Sequence, residues 1–286
     1  MLTIPSRVSN RLTTSIKRFQ PVVSSAKARD VNESDTVIIV TDMLSEILGY
    51  EKYSEITSEH AIRGTYCDLA TLLDGRIQLL VEVKAVGTEL KDAHVKQAVD
   101  YAANKGIDWV ILTNGVAWRV YKVMFAKPID QELVFEIDFL TFDTKDGALL
   151  EFVYVLTKEG WIKEGLAELH AQRQMLSKFT IAALTLSGPI LDVMRRELRR
   201  LCPDVRVHNE QIEQVLLREV LKREVVDGEK AEEARKKISR AVNKHSRARS
   251  DKTSTDQTAE PTAAASPITT PSPASVTPAP PPSSQA

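Results

Sequence analysis

The sequence predicts an α/β domain with a mixed central sheet flanked by helices, followed by a helical C-terminal extension. Between residues 30 and 143, segments with helical periodicity alternate with short apolar segments, and a strand–helix–strand order favours parallel pairing in the sheet. Between residues 144 and 228, apolar residues instead recur every three or four positions, which is typical of packed helices. We therefore expect two differently built regions in one chain.

The composition is that of an ordinary globular protein. The 286 residues are 43% hydrophobic, and no apolar run approaches the roughly 20 residues needed to cross a bilayer. The two cysteines, Cys67 and Cys202, have neither metal-ligand nor disulfide spacing, so we expect reduced thiols in a cytoplasmic protein that does not contact a membrane. A formal net charge of −1 gives the whole chain no bulk attraction for nucleic acid.

The N-terminal segment, residues 1–29, is basic and contains no acidic residue. Its serine and threonine content somewhat resembles an organellar transit peptide. A flexible basic arm is the favoured interpretation, and no apolar segment of a secretory signal follows the first basic residues. The basic residues of this segment are Arg7, Arg11, Lys17, Arg18, Lys27 and Arg29.

The first predicted helix lies in NESDTVIIVTDMLSEILGY, with Asn32 as its N-cap and Gly49 just beyond its C-terminus. Next, the dipeptide Asp74–Gly75 lies between two apolar runs and predicts a β-hairpin over residues 66–85. A second helix, in ELKDAHVKQAVDYAANKG, is predicted to end at Gly106.

Two further strands are predicted around an Asn114–Gly115 turn, and ELVFEIDF supplies one more. A helical stripe from 166 to 186 is predicted to be broken at Gly188–Pro189, and another helix to run from about 209 to 225. Residues 229–252 predict a charged helix that runs into a basic segment. The tail, residues 253–286, holds eight of the thirteen prolines and almost no large apolar side chain, so it is predicted to be disordered.

The hairpin carries three charged residues, Asp68, Glu82 and Lys84, among apolar ones. Burying an unpaired carboxylate in a strand is costly, so their presence needs a reason. Residues two apart share a face of a strand, and Glu82 and Lys84 therefore point the same way. Asp68 lies six residues before the turn and Glu82 seven after it, so the fold of the hairpin brings the three groups together.

These groups suit metal-assisted hydrolysis of a phosphodiester. Proteins commonly hold Mg²⁺ by one or two carboxylates together with waters and a phosphate oxygen. The ion polarises the phosphoryl group and lowers the pKa of a bound water, while a lysine orients that water or offsets developing negative charge. The alternative is a surface ion pair of Lys84 with Asp68 or Glu82, which contributes little. The three residues alone leave both interpretations open.

A wider set of motifs resembles the PD-(D/E)XK nuclease superfamily. Asp68 followed by VEVKA at 81–85 resembles its core motif, and QAVDY at 97–101 resembles the Q-x-x-x-Y element of one branch. WVILTNGVAWRVYKV at 109–123 resembles the strand pair that follows in the N-terminal nuclease domain of type I restriction enzyme R subunits. The resemblance covers roughly residues 32–123.

The resemblance implies a restriction-endonuclease-like fold and a Mg²⁺-dependent DNA endonuclease, with Mn²⁺ as a substitute ion. It implies that Asp68 and Glu82 are metal ligands and that Lys84 is the catalytic lysine. Gln97 and Tyr101 lie four residues apart on one helical face, where they would support the site or contact DNA. Ordinary helix polarity and core packing are the alternative for these two residues.

An acidic residue on the first helix often completes a site of this family. Glu33 is favoured for that role over Glu46, which lies thirteen residues further along the same helix. His94 precedes the Q-x-x-x-Y element on the second helix and is interpreted as a solvated polar residue, with substrate contact as the alternative.

The 286 residues contain no G-x-x-x-x-G-K-[ST] phosphate loop, so we expect no ATPase motor of the kind that restriction R subunits carry.

Two rival functions remain beside the nuclease. One rival is a non-catalytic nucleic-acid-binding or assembly protein that keeps the nuclease fold. The other is an interaction scaffold on the helices of residues 160–225, a candidate surface for a homo-oligomer or partner protein. The basic segments at the N-terminus and at 235–252 are predicted to hold DNA, with a solvated charge run as the alternative.

Overall fold

The computed structural model describes residues 3–62, 65–125 and 127–254. The chain divides into two compact units, Met1–Ser177 and Lys178–Ala286. The first unit contains a mixed six-stranded sheet with helices against it, and the second is helical in its described part. The predicted α/β fold class with a helical C-terminal region is therefore confirmed.

The order of the strands in the sheet is their order along the chain. All neighbouring strands pair antiparallel except the third and fourth, which run parallel and are connected by a helix. The first strand was not among the predicted elements. The strands are β1 Ile56–Ile62, β2 Thr65–Leu73, β3 Arg76–Val83, β4 Trp109–Thr113, β5 Ala117–Met124 and β6 Asp130–Asp138.

In the described parts of the chain, six helices belong to the first unit and five to the second. In the first unit they are α1 Ser6–Ala28, α2 Glu33–Glu46, α3 Asp92–Lys105, α4 Gly147–Tyr154, α5 Lys158–Ile162 and α6 Gly165–Met175. In the second they are α7 Lys178–Thr185, α8 Gly188–Leu201, α9 Asn209–Val215, α10 Arg223–Val226 and α11 Glu229–Ser254, with a π-helical turn at Leu216–Val220.

The turn between β2 and β3 confirms the predicted hairpin. Asp74 and Gly75 both adopt left-handed backbone conformations, with φ of 51° and 72°. Two consecutive residues of this kind form the type I′ turn that matches the twist of a two-residue hairpin. An irregularity between Thr71 and Leu72 shifts the register, so that Leu69 pairs with Val81.

The sheet is covered on both faces by apolar side chains. Helices α1, α2, α4 and α6 bury one face, and α3 buries the other. Helix α3 also makes the crossover between the parallel strands β3 and β4, which is the connection such a pair requires. Strand β3 is thus paired on both edges and covered on both sides, so the side chains at its end are held by a rigid frame.

The predicted flexible basic arm is wrong, because Ser6–Ala28 forms a 23-residue helix packed into the main core. Apolar residues recur at helical spacing along it, and their burial fixes the helix against the sheet and its neighbours. The basic residues lie mostly on the exposed side of the helix, so the net charge of the segment does not reveal this apolar period. The buried residues are Val8, Leu12, Ile16, Phe19, Val23 and Ala26.

Arg11 fastens α1 to two other parts of the first unit. Its two terminal nitrogens each donate to one carboxylate oxygen of Glu159, both at 2.6 Å, and its Nε donates to the carbonyl of Ile47 at 3.2 Å. These hydrogen bonds lower the pKa of Glu159. Gly49 has a φ of +84°, and a Cβ there would lie 2.7 Å from the guanidinium group. Only glycine fits this position.

The boundaries of the helices after residue 143 differ from those predicted. The predicted stripe from 166 to 186 is two helices, α6 and α7, and the predicted helix of residues 209–225 is interrupted by the π-helical turn. The first unit extends to Ser177, beyond the predicted boundary at 143, because α4 and α6 contribute buried residues to the sheet core. Pro189 lies in the first turn of α8, where its missing N–H removes no hydrogen bond of the helix.

Helix α11 matches the charged helix predicted for residues 229–252. The predicted disordered tail lies, from residue 255 onward, outside the described residues. Within the part of the chain that the structure describes, no helix is long and apolar enough to span a bilayer.

Replacing Arg11 by alanine is expected to destabilise the first unit by about 2 kcal/mol, because it removes the charge-assisted hydrogen bonds to Glu159 and the hydrogen bond to the Ile47 carbonyl. The measurement is the urea-unfolding midpoint followed by circular dichroism. Arg18→Ala is the matched control on the same helix, since Arg18 has 63% of its side chain exposed and forms its ion pair with Glu46. The control should change stability by about 0.5 kcal/mol or less. Equal effects of the two substitutions would show that Arg11 does not fasten α1.

Candidate functional site

The predicted site residues lie where β3 ends beside its parallel neighbour β4. Glu82 lies beside Leu112 in this register, and the N–H of Lys84 donates to the carbonyl of Thr113 at 2.8 Å, one residue beyond the strand. In open α/β sheets, ligands bind beyond the carboxyl ends of parallel strands. The fold therefore places Glu82 and Lys84 at the edge where such sheets form binding sites.

Asp68 reaches this edge from the neighbouring strand. The pairing of β2 with β3 is regular up to Leu69 and Val81, and one further step in that register places Asp68 opposite Glu82. At this point the N–H of Val83 donates to Oδ2 of Asp68 at 2.7 Å. The carboxylate thus accepts a backbone hydrogen bond at the end of the ladder, which fixes its orientation beside Glu82.

Lys84 connects the acidic residues. Its Nζ lies 2.8 Å from Oε1 of Glu82 and 3.5 Å from Oε2 of Glu33. Of the two acids considered on α2, the structure brings Glu33 to the cluster. Glu46 lies at the other end of the helix and pairs with Arg18 instead.

The start of α2 determines where Glu33 lies. Asn32 caps the helix, since its side-chain oxygen accepts the N–H of Asp35 at 2.9 Å. This cap makes Glu33 the first helical residue, with 49% of its side chain exposed. A local capping signal therefore positions a carboxylate beside a lysine that is 51 residues away in the sequence.

Glu82 is the buried member of the cluster. Only 7% of the residue is exposed, and its Oε2 is buried with no hydrogen-bond partner among the described residues. Burial raises the pKa of Glu82, the charges of Asp68 and Glu33 add to this increase, and the hydrogen bond with Lys84 opposes it. A buried carboxylate oxygen without a partner is an unfavourable feature that a bound cation would relieve.

Lys84 remains an ammonium group at neutral pH. Burial by itself lowers its pKa, but the hydrogen bond and charge of Glu82 and the charges of Glu33 and Asp68 outweigh that effect, so that the pKa is raised. A lysine in this state can donate hydrogen bonds and supply positive charge.

The charges of the cluster fit a divalent cation. Three carboxylates, those of Glu33, Asp68 and Glu82, face one ammonium group, which leaves a charge of −2 when all are ionised. Among the described residues, no three His, Cys, Asp or Glu side chains form a complete metal cluster. Mg²⁺ does not need one, because it commonly uses one or two carboxylates and keeps several waters. The unpartnered Oε2 of Glu82 is the observation that supports this fit.

The remaining predicted residues lie on or near α3. Gln97 is exposed, whereas Tyr101 is 3% exposed and its hydroxyl has no hydrogen-bond partner among the described residues. Tyr101 packs in the same apolar cluster as Cys67, whose thiol is buried with its pKa raised to about 12. Cys67 is therefore a neutral core residue. His94 accepts the N–H of Lys91 through Nδ1 at 3.3 Å and so caps the start of α3.

Sequence reasoning missed the groups that support the loop after Lys84. Asn114 donates to the carbonyl of Thr88 at 2.9 Å and accepts the N–H of Ala117 at 2.8 Å. A Cβ at Gly87 would lie 2.2 Å from Oδ1 of Asp30, so this loop packs directly against the junction of α1 and α2. The Asn–Gly signal identified a turn at 114–115, but it gave no indication that Asn114 also reaches across to the loop.

Comparison with known proteins agrees with the motifs. Residues 38–135 match a family model described as Type I restriction enzyme R protein N terminus. This segment is about a third of the chain and includes the hairpin and α3, but not Glu33. The predicted resemblance is therefore confirmed for this segment, and it indicates a nuclease-type function acting on DNA. Comparison with curated proteins and with solved structures gave no match.

Glu82→Gln is expected to increase the free energy of unfolding by about 1 kcal/mol at pH 8, because it removes a buried negative charge. Glu82 binds its proton more tightly in the folded than in the unfolded chain. Its protonation therefore stabilises the fold fully below the ordinary glutamate pKa, and this contribution is lost as the pH rises through the raised pKa.

Unfolding by urea in the presence of EDTA at several pH values measures this difference, which should shrink as the pH approaches 4. Glu89→Gln, at an exposed position in the loop before α3, is the control and should show no such trend. A pH-independent difference between Glu82→Gln and wild type would contradict the assignment.

Proposed function

We propose that this chain is a Mg²⁺-dependent DNA endonuclease of the restriction-enzyme type that hydrolyses phosphodiester bonds. The observation that carries the proposal is the cluster of Asp68, Glu82 and Lys84 at the end of β3, in which one buried carboxylate oxygen has no hydrogen-bond partner among the described residues. The cluster lies within the segment that matches the restriction R protein family. Two adjacent carboxylates beside a lysine, at the end of a central strand in such a segment, are better explained by a metal site than by a surface ion pair.

Asp68 and Glu82 would hold the ion, and Glu33 at the exposed side of the cluster would add charge or a ligand through water. When bound, Mg²⁺ (or Mn²⁺ in its place) supplies Lewis-acid activation of the phosphoryl group and of a water molecule. The backbone N–H of Val83 keeps Asp68 in place. The pairing of β3 with both neighbours does the same for Glu82.

Lys84 has an electrostatic role in this proposal. Its ammonium group is held at 2.8 Å from Glu82, so its charge stays close to the position that a phosphate would occupy beside the carboxylates. Negative charge develops on the phosphoryl oxygens in the transition state, and a fixed cation in a partly buried site stabilises it. Gln97 is exposed on α3 and would contact DNA, while the buried Tyr101 would support the site from within the core.

A non-catalytic DNA-binding protein that retains the nuclease fold is the second candidate. The observation that favours it is that Lys84 pairs with both Glu82 and Glu33. These pairs neutralise part of the negative charge of the cluster without a bound ion. In such a protein the same groups would serve as a structural ion-pair network. Cleavage and metal-binding assays separate the two candidates.

Wild-type protein is expected to nick supercoiled plasmid DNA with Mg²⁺, and Lys84→Ala to lower the nicking rate about 100-fold or more, because it removes the fixed positive charge. Agarose-gel conversion of supercoiled to open-circular plasmid measures the rate. Lys96→Ala, at an exposed position of α3, is the matched lysine control and should keep wild-type activity. If the wild type is as inactive as Lys84→Ala with both Mg²⁺ and Mn²⁺, the nuclease proposal is wrong and the non-catalytic DNA-binding protein is favoured.

Millimolar Mg²⁺ is expected to raise the melting temperature of the wild type, because a ligand that binds only the folded state stabilises it in proportion to its occupancy. Asp68→Asn and Glu82→Gln should each abolish the increase, since each removes one ligand charge. Asp100→Asn, at an exposed position of α3, is the control and should keep it. Differential scanning calorimetry with and without Mg²⁺ gives the comparison, and an equal increase in all four proteins would mean that the ion binds elsewhere.

A further inference from the structure

The two units of the chain carry opposite net charge. Residues 1–177 contain 20 basic and 25 acidic residues, a net charge of −5. Residues 178–254, the described part of the second unit, contain 18 basic and 12 acidic residues, a net charge of +6. A cluster of carboxylates in an acidic unit repels a polyanion such as DNA until cations intervene. The net positive charge that would attract DNA lies in the helical unit.

Helix α11 separates an apolar stripe from a basic one. Its apolar residues pack against Ala183 and Phe179 of α7, so this side of the helix is already covered. Four exposed basic residues form what we call the α11 basic stripe: Lys236, Lys237, Arg240 and Lys244. With 3.6 residues per turn, these four positions fall within a sector of about 100° on the side away from the apolar stripe. The apolar residues of α11 in this cluster are Ala234, Ile238 and Val242.

The α11 basic stripe is available to an external anion. The acidic residues Glu232 and Glu233 lie four positions before Lys236 and Lys237, but the ion pairs of the described residues include none of these four. The stripe is about 12 Å long, from a rise of 1.5 Å per residue, which is comparable to several phosphate spacings along one DNA strand. Glu229 and Glu233 lie on the same side of the helix in its first turns, but α11 has no acidic residue from Lys236 to Lys244. A merely solvated charged helix usually mixes both signs along its whole exposed face.

Helix α8 adds exposed arginines in the same unit. Arg196 and Arg199 are exposed, and Arg200 is exposed while paired with Glu197 at 2.9 Å. Cations in the last turn of a helix also interact favourably with its dipole, which accounts for Arg199 and Arg200 without a ligand. This explanation does not apply to the α11 basic stripe, which lies before the last turn of its helix.

We infer that the α11 basic stripe binds the phosphate backbone of duplex DNA without reading its sequence, and so anchors the DNA that the first unit cuts. This inference rests on DNA being the substrate, as in the proposed function. The chemistry is that of lysine and arginine neutralising phosphates, with release of condensed counterions. Binding should therefore weaken steeply with salt, and each lost phosphate contact should lower the slope of log K against log salt concentration by about 0.9.

The test uses the full chain with Lys84→Ala in EDTA, so that binding is measured without cleavage. Fluorescence anisotropy of a labelled 20-base-pair duplex is recorded at several KCl concentrations between about 50 and 200 mM, the range over which phosphate contacts respond strongly. Neutralising the stripe with Lys236→Gln, Lys237→Gln, Arg240→Gln and Lys244→Gln should lower the slope by about 3 to 4 and the affinity at least tenfold. Glutamine keeps a helix propensity close to that of lysine and arginine, so α11 should persist, which circular dichroism checks.

The matched control removes the same charge from the first unit, at Lys17, Lys27, Lys145 and Lys163, which are all exposed. It should leave the slope unchanged, and equal losses in the two quadruple variants would overturn the inference. Binding of the unmodified stripe to phosphatidylserine vesicles, without binding to the duplex, would also overturn it and assign the stripe to a membrane surface.

The nicking assay keeps this inference separate from the proposed function. If wild-type protein binds the duplex with a stripe-dependent salt slope but does not nick plasmid, the nuclease proposal fails and the anchoring role stands. If it nicks plasmid while neutralising the stripe leaves the salt slope unchanged, the anchoring role fails and the nuclease proposal stands.

Discussion

The candidate site of the first unit depends on one constraint, which is the buried carboxylate of Glu82 at the end of a central strand. Glu82 is 7% exposed, and one of its oxygens has no hydrogen-bond partner among the described residues. Its burial is unfavourable and is maintained only because β3 is paired on both edges and packed on both faces. Asp68 and Lys84 then take positions defined by that strand. A fold that places charge in such a position gives up stability, as functional sites commonly do.

The frame around this constraint is built from contacts between distant segments. Helix α1 packs in the apolar core on one face of the sheet. Arg11 of this helix donates hydrogen bonds to Glu159, 148 residues further along the chain. Asn114 and Asp30 support the loop that leaves the site. These contacts restrain the end of β3. In the proposed phosphodiester hydrolysis, a site of fixed charges would stabilise the transition state because its groups need not rearrange during the reaction.

The division of charge between the units addresses a problem that any carboxylate site for DNA faces. In the proposed nuclease, the carboxylates that would hold a cation would also repel the phosphates of DNA, and the first unit as a whole has a net charge of −5. A separate basic helical unit can supply attraction without placing cations among the carboxylates, where they would compete with the metal ion. The α11 basic stripe has the composition for this role, and its opposite side is already used for packing against α7.

The sequence by itself determined the features that depend on a few neighbouring residues: the cap at Asn32, the turns at Asp74–Gly75 and Asn114–Gly115, and the order of strands around α3. The charged motif on β3 was also readable, because strand periodicity and one turn place its members together. Only the tertiary structure decided that the basic N-terminal segment is a packed helix and that Asn114 supports the loop after Lys84. Such features depend on which distant surfaces meet, and burial of apolar area across the whole unit, which no local pattern encodes, sets those contacts.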